Sequence, residues 1–329
     1  MIFRRALPTC LSIGVLLAGC GDRQSVLNPK GGDAHQFAQL SWLLFAGGTA
    51  ILFVVMLATY LAIHGPDRFR ALLGSERMVV WAGVAFPVVT LTALLGYGVW
   101  LTRAVALTAA DPDALHISVS GEQWWWRITY RPANESVVAA NEIRIPAGRT
   151  IVFTLTSPDV IHSFWVPNLG GKVDMIPGRT TRLRLRADAP GVFRGQCAEY
   201  CGGPHALMAF EVVALPPSDF DAWLESQAKP ASEPESVEAH RGRDLFLAAG
   251  CGGCHAVRGT AAAGTVGPDL THLGSRRSVG LDTLAMTEAN IKRFIEDGQH
   301  IKPGNRMPPF RIFPAADLDA IAAYLAGLR

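Results

Sequence analysis

The sequence predicts a multidomain chain: a two-helix transmembrane hairpin, an all-β Greek-key sandwich and an all-α domain, in that order. Three observations carry this expectation. Residues 40–63 and 78–101 contain no charged side chain; from Leu115 the apolar period shortens to two; after a proline-rich stretch it returns to helical spacing. At 329 residues, 49% hydrophobic and 18% charged, the chain exceeds one ordinary domain and holds more apolar sequence than a soluble core needs. Lys and Arg total 30 against 28 for Asp and Glu, with no basic run. That balance excludes a nucleic-acid footprint.

The N-terminus reads as a targeting segment. Arg4 and Arg5 form a positive n-region ahead of a short apolar stretch at 11–18. Leu17-Ala18-Gly19-Cys20 then matches a bacterial lipobox. Residues 1–19 are expected to be a lipoprotein-type signal peptide, Cys20 the lipidated new terminus, and 20–39 a periplasmic segment; a plain export signal or an uncleaved anchor is the alternative.

At about 1.5 Å rise per residue, 40–63 and 78–101 can each cross a hydrocarbon core of about 30 Å. Pro87 is tolerable in such a helix, where neighbours satisfy the freed backbone. The loop 64–77 carries Arg68, Arg70 and Arg77, which favours the cytoplasmic side. Everything after Arg103 then falls in the periplasm. His64, His116 and His240 have no evident partner and read as surface residues.

Residues 112–217 read as the sandwich. Leu115, Ile117 and Val119 alternate with His116, Ser118 and Ser120, and Leu183 and Leu185 with Arg182, Arg184 and Arg186. Pro177-Gly178, Pro190-Gly191 and Pro146-Ala147-Gly148 mark turns between short strands, a Greek-key pattern. Residues 218–238, with Pro230 and Pro234 among Ser, Ala and acidic residues, read as a solvated linker. Within 239–329, helices are expected at 241–249, 284–297 and 315–328. Asp317 and Asp319 sit favourably near the start of the last one.

Two motifs carry chemistry. In Cys197-Ala198-Glu199-Tyr200-Cys201-Gly202-Gly203-Pro204-His205-Ala206-Leu207-Met208, thiolate, imidazole and thioether lie close together, a soft set that selects copper. A single copper site would take one Cys, His205, Met208 and an earlier histidine, which falls at His162 in Asp159-Val160-Ile161-His162-Ser163-Phe164-Trp165. The second thiolate lets two sulfurs bridge two metal ions, spreading a one-electron change over both. A disulfide with incidental His and Met is the bland alternative. Upstream, Trp124-Trp125-Trp126 on a strand should turn at least one indole outward, as an interface would; all three in the core or packed on the membrane surface is the alternative.

Cys251-Gly252-Gly253-Cys254-His255 is the C-x-x-C-H signature of covalent c-type haem, with His255 as proximal ligand. A redox dithiol or a zinc site is the alternative. A sixth ligand is expected from Met307, in the irregular Lys302-Pro303-Gly304-Asn305-Arg306-Met307-Pro308-Pro309 run; Met286, beside an expected helix start, reads as packing. Met/His ligation raises a haem potential.

The helix pair, Gln123-Trp124-Trp125-Trp126, the Asp-Val-Ile-His-Ser run and the Cys-x-x-x-Cys-x-x-x-His-x-x-Met loop resemble subunit II of cytochrome c oxidase over roughly residues 35–217. Residues 239–329, with Gly267-Pro268-Asp269-Leu270, resemble class I cytochromes c. The resemblance implies a cupredoxin-like sandwich holding a dinuclear copper A centre, bridged by Cys197 and Cys201. His162 and His205 would bind one copper each, with Met208 and the Glu199 carbonyl as weak ligands. It further implies a magnesium ion shared with subunit I through the Glu199 side chain, Trp124 as the point where electrons arrive, and the Pro268 carbonyl orienting His255. Glu76 lies near the place of a family proton-path acid, but its spacing to Trp81 and Pro87 departs from that pattern, and the role is not carried over.

The function so implied is that of the electron-input subunit of a proton-pumping haem-copper terminal oxidase in the bacterial inner membrane. Electrons from cytochrome c or another periplasmic donor would pass through haem c and copper A to subunit I, where dioxygen is reduced to water. A flexible linker would keep the fused cytochrome at high local concentration. Expected partners are subunit I, further oxidase subunits, the donor and membrane lipid. The copper subunit of a nitric oxide reductase, or a non-enzymatic copper-carrier lipoprotein, are the alternatives.

Overall fold

The computed structural model describes residues 23–107, 113–130 and 136–329; the expected signal peptide and Cys20 lie outside the described residues. The first unit of helices comprises α1 (Gly32–His64), α2 (Asp67–Leu73), α3 (Glu76–Val80), a π-helical turn (Trp81–Ala85) and α4 (Phe86–Leu107). Two spans, Gly32–His64 and Glu76–Arg103, are long and apolar enough to cross a membrane, with mean hydropathy 2.2 and 2.1. Most of their apolar side chains are exposed, Phe53 and Trp81 among them. A helix without a polar face needs apolar surroundings. Helix α1 starts well before the charge-free stretch, because Asp33 suits a first turn and nothing in 32–39 breaks a helix. The π turn answers Pro87. Proline lacks an N–H and crowds the carbonyl four residues back, which is Gly83, inside that turn. The Phe86 N–H reaches back five residues to the Trp81 carbonyl.

The sandwich is built from β1 (Leu115–Glu122), β2 (Trp125–Tyr130), β3 (Val137–Ala140), β4 (Glu142–Pro146), β5 (Ile151–Thr156), β6 (His162–Trp165), β7 (Val173–Met175), β8 (Thr181–Leu185), β9 (Gly191–Cys197) and β10 (Ala209–Leu215). One sheet runs β3-β2-β1-β5-β8 and the other β4-β10-β9-β6-β7. Ile117 and Val119 are buried while His116 is exposed, as the alternation requires. Between the sheets Trp126, Phe153, Phe164 and Phe210 are fully buried; Phe164 and Phe210 stack at 4.6 Å between ring centroids, and Trp126 lies 4.9 Å from Phe210. Each such ring contributes about 1.5–3 kcal/mol by burial. Gly195 makes room for Phe210, since a Cβ there would lie 2.2 Å from the ring.

A strap precedes the sandwich in sequence. The Asn168 amide donates to the carbonyls of Ser25 and Asn28 at 3.1 and 2.9 Å, and the Lys30 N–H donates to the Asn168 carbonyl at 2.7 Å. Arg23 pairs with Glu211 at 3.1 Å.

The expected linker is not a solvated chain. Residues Pro217–Ala228 form helix α5, with Pro217 at the first helical position, where its missing N–H costs nothing. Phe220 is buried, and Trp223 meets Tyr130 edge-on at 5.2 Å. The residues after α5 run along the next domain: the Ala231 N–H donates to the Arg258 carbonyl at 2.9 Å, and the Ser232 hydroxyl to the Gly327 carbonyl at 2.8 Å. Proline and serine content suggested solvation; Phe220, Trp223 and Leu224 at helical spacing outweigh it.

The C-terminal domain packs α6 (Val237–Ala248), α7 (Glu288–Ile301) and α8 (Ala315–Gly327), with a two-stranded ribbon of β11 (Ser278–Val279) and β12 (Leu284–Ala285). Ser236 and Thr287 cap α6 and α7 through their hydroxyls. The expected helix start at 284 is therefore displaced: Leu284 belongs to the ribbon, and the cap at Thr287 sets the true beginning. Helices α6 and α8 cross so closely that a Cβ on Gly242 would lie 1.9 Å from the Ala320 carbonyl oxygen.

Two stability outcomes follow from this packing. Phe210→Ala should destabilise the sandwich by about 3–5 kcal/mol, read by thermal or denaturant unfolding of the purified chain. Gly242→Ala should cost the C-terminal domain at least about 1–3 kcal/mol, because backbone rather than a flexible side chain stands in the way.

Candidate functional site

Strand pairing assembles the first site. In the antiparallel β6–β9 pair Phe164 faces Cys197, which sets His162 at the same edge as the loop that leaves β9. That loop, 198–208, returns into β10, and the Cys197 N–H donates to the Met208 carbonyl at 2.9 Å to close it. Gly202, at φ +115°, allows the turn and the close approach of Trp124; a Cβ there would meet the indole at 2.9 Å. The short 3-10 turn His205–Leu207 then brings His205 and Met208 back toward the cysteines.

The donors converge. The sulfurs of Cys197 and Cys201 lie 3.7 Å apart as free thiols, so the disulfide alternative falls away. His162 Nδ1 is 3.8 Å from the Cys197 sulfur, His205 Nδ1 is 3.5 Å from the Cys201 sulfur, and the Met208 sulfur is 3.7 Å from it. The Glu199 carbonyl oxygen lies 3.1 Å from the Cys197 sulfur, while its side chain is exposed near Lys172. Cys197, Cys201, Met208 and His162 are all buried. The neighbouring Cys201 thiol and the His162 ring hold the Cys197 thiol far below its usual value, and that charge with burial pushes Cys201 up. Two thiolates so close repel each other until a cation joins them, and two thiol sulfurs, a thioether and two imidazoles, all buried but the half-buried His205, fit copper.

Partners around the donors fix their aim. His162 Nε2 donates to Asp159 at 2.9 Å, which leaves Nδ1 turned to Cys197. Burial works against the Asp159 carboxylate, yet hydrogen bonds from the Gln123 N–H, His162 and the Val160 N–H hold it below the ordinary range. The Gln123 amide and the Trp124 indole both donate to the Cys201 carbonyl, at 2.8 and 2.9 Å. Gly121 leaves space for the His162 ring, which a Cβ would approach to 3.1 Å. Of the three tryptophans, Trp126 and Trp125 are buried and Trp124 is half-buried. None turns fully outward, because Trp124 sits before β2 and folds over the loop.

In the second site, Gly250 at φ +78° ends the α6 segment and starts the turn that carries Cys251 and Cys254. The His255 N–H donates to the Cys251 carbonyl at 3.0 Å, and its Nδ1 donates to the Pro268 carbonyl at 2.8 Å, leaving Nε2 free as a ligand. Burial pushes the imidazole below its usual value, which favours the neutral, ligating form. Gly267 is required beside it: a Cβ would lie 2.6 Å from the ring. Met307 and Cys251 pack against the same apolar cluster, as does Met286. The Met307 N–H donates to Asn305 at 2.9 Å, and Gln299 on α7 donates to the Met307 carbonyl at 3.1 Å. Two cysteines, an oriented neutral histidine and an adjacent apolar core fit a covalently held haem. His64, His116 and His240 are exposed.

Sequence reasoning missed Asp159, Gln123 and Lys302 as functional residues. An acid three positions before a candidate ligand histidine was a usable signal for Asp159. Lys302 offered none; it is buried, which pushes its amine down to about 7.

Comparison with known proteins identifies the families of the two domains. The family described as cytochrome c oxidase subunit II, periplasmic domain, matches residues 131–215, and the cytochrome c family matches 239–329. Cytochrome c oxidase subunit 2 of Alkalihalophilus pseudofirmus is 35% identical over 99% of this chain and 97% of its own length. That of Bacillus subtilis is 29% identical over 96% and 95%. The solved periplasmic domain of subunit II of the Bradyrhizobium japonicum oxidase is 32% identical, covering 37% of this chain and 96% of that one, with a TM-score of 0.34. With helices fit for a membrane, a sandwich whose loop suits copper and a C-terminal domain suited to haem, the chain belongs to the family of cytochrome c oxidase subunit 2, a subunit of the haem-copper oxidases.

Proposed function

We propose that this chain is the electron-input subunit of a terminal oxidase, passing electrons from a periplasmic cytochrome c through a covalent haem c and a dinuclear copper A centre to subunit I, which reduces dioxygen to water. The observation that carries this reading is the convergence of the Cys197, Cys201, His162, His205 and Met208 donors on one buried point. When bound, copper and haem each supply one-electron redox chemistry with no bond made or broken at the protein.

The residues divide the work. Cys197, Cys201, His162 and His205 would hold the copper, with Met208 and the Glu199 carbonyl as weak further donors. Asp159 holds the His162 ring, and the Gln123 and Trp124 donors hold the Cys201 carbonyl. A rigid shell that changes little between oxidation states keeps reorganisation small, which suits relay rather than catalysis. Cys251 and Cys254 would attach the haem and His255 and Met307 would ligate it, while the Pro268 carbonyl orients the His255 ring. The exposed Glu199 side chain, near Lys172, would share a magnesium ion with subunit I. Lipid on Cys20 and the two apolar helices would anchor the chain in the inner membrane, with both redox domains in the periplasm.

Absorption and electron-resonance spectra of the purified chain should display c-type haem together with a mixed-valence copper pair, two coppers per haem. His162→Ala should lose the copper signal and keep the haem spectrum. An isolated cupric signal in the native protein would overturn the reading. Asp159→Asn, which keeps the shape but weakens the hold on His162, should lower copper retention against a chelator by about 10–100-fold.

A further inference from the structure

The haem domain lies against the copper loop through an unusual contact. Lys302, which closes α7, is 2% exposed, and its amino group donates to the Trp124 carbonyl. Lysine is seldom buried unless paired, and no carboxylate pairs with Lys302 among the described residues. The same loop is knit tightly: the Asn305 amide donates to the carbonyls of Gly298 and Lys302, each at 2.8 Å, and Gln299 holds the carbonyl of Met307. Arg306 donates to the Gln123 side-chain oxygen at 3.0 Å, and Gly304 approaches the copper loop so closely that a Cβ would lie 3.3 Å from Pro204. Gln123 and Trp124 are the residues whose side chains hold the Cys201 carbonyl. A continuous run of bonds thus joins the Met307 loop to a copper-site cysteine.

A second part of the haem domain makes the same crossing. In the turn between β11 and β12, Gly280, Leu281 and Asp282 all take positive φ, at 68°, 64° and 59°. Two non-glycine residues in that region cost energy that the surroundings must repay. Leu281 is buried in the core cluster of the sandwich, and Asp282 pairs with Arg194 at 2.9 Å. Beyond it Arg277 pairs with Glu211 at 2.9 Å, and Arg127 donates to the Thr265 carbonyl at 2.7 Å. The contact therefore has an apolar anchor and a hydrogen-bonded rim.

We infer that Lys302 is a positioning residue that docks the haem domain on the copper loop, holding the Met307 loop against Gln123 and Trp124 so that electrons cross within one closed contact. The inference rests on the haem and copper reading above. The step is a plain one-electron exchange: the haem is oxidised, the copper pair is reduced, and no bond or proton changes hands. Only the amine's capacity to donate to the Trp124 carbonyl is needed, so glutamine, which also donates, should replace it better than methionine, which fills the space and does not.

The test uses the full-length chain as purified. In Lys302→Met, amide exchange over 201–207, 280–283 and 302–307 should rise about tenfold, with β1 and β5 unchanged, and Lys302→Gln should stay within about twofold of the native protein. After photoreduction of the haem, transfer to copper should slow about tenfold in Lys302→Met and recover in Lys302→Gln. Native exchange in Lys302→Met, or native transfer with both spectra intact, would overturn the assignment. Should Lys302→Met lose either spectrum, the half-buried Arg127 and the exposed Arg306 of the same rim, both replaced by alanine, are judged by the same two measurements, expecting about a fivefold change. If the native chain lacks the copper-pair signal, the functional reading fails while the exchange data still decide whether Lys302 docks the domains.

Discussion

Two sulfur atoms, buried and unbonded at 3.7 Å, set the terms for the rest of the sandwich. Left alone, neighbouring thiols oxidise or repel; here backbone geometry holds them apart. The loop 198–208 leaves β9 and rejoins β10, adjacent antiparallel strands, and a single bond between Cys197 and Met208 closes its neck. The aromatic core below, with Trp126 6.2 Å from the His162 ring, supports the site from beneath and keeps water out. What the fold supplies is rigidity at a place where charge changes and atoms should not move.

The haem half solves a comparable problem with different means. A helix end, not a strand pair, presents Cys251 and Cys254, and a glycine without a side chain lets the imidazole reach its carbonyl partner. The two halves then meet through α5, the strapped segment that follows it and the ribbon turn. A chain read as two domains on a tether is instead one body at the level of the copper loop and the Met307 loop. Local concentration matters less in such an arrangement than fixed distance.

Much of this was legible in the sequence because the decisive residues are contiguous. Cys197 to Met208 and Cys251 to His255 each sit within one loop, so spacing alone pointed to the chemistry proposed for them. The apolar helices and alternating strands followed from composition and period. What escaped was what depends on distant partners. Lys302 looks like any loop lysine until the copper domain covers it. The segment after β10 looked solvated because proline and serine outnumber its three apolar anchors, and only a surface made by Tyr130 and Arg144 gives Phe220 and Trp223 somewhere to go. Asp159 lay in plain view beside His162, but its hydrogen bonds from Gln123 come from another strand connection.

Glu211 is a small feature with a wide reach. Its carboxylate is 4% exposed, yet it receives Arg23 from the N-terminal strap on one oxygen and Arg277 from the haem domain on the other. Charges in open water lose touch beyond about 8 Å at physiological ionic strength, whereas a carboxylate enclosed by its partners is shielded from mobile ions. Added salt should therefore loosen this junction of strap, sandwich and C-terminal domain less than it loosens pairs of fully exposed charges.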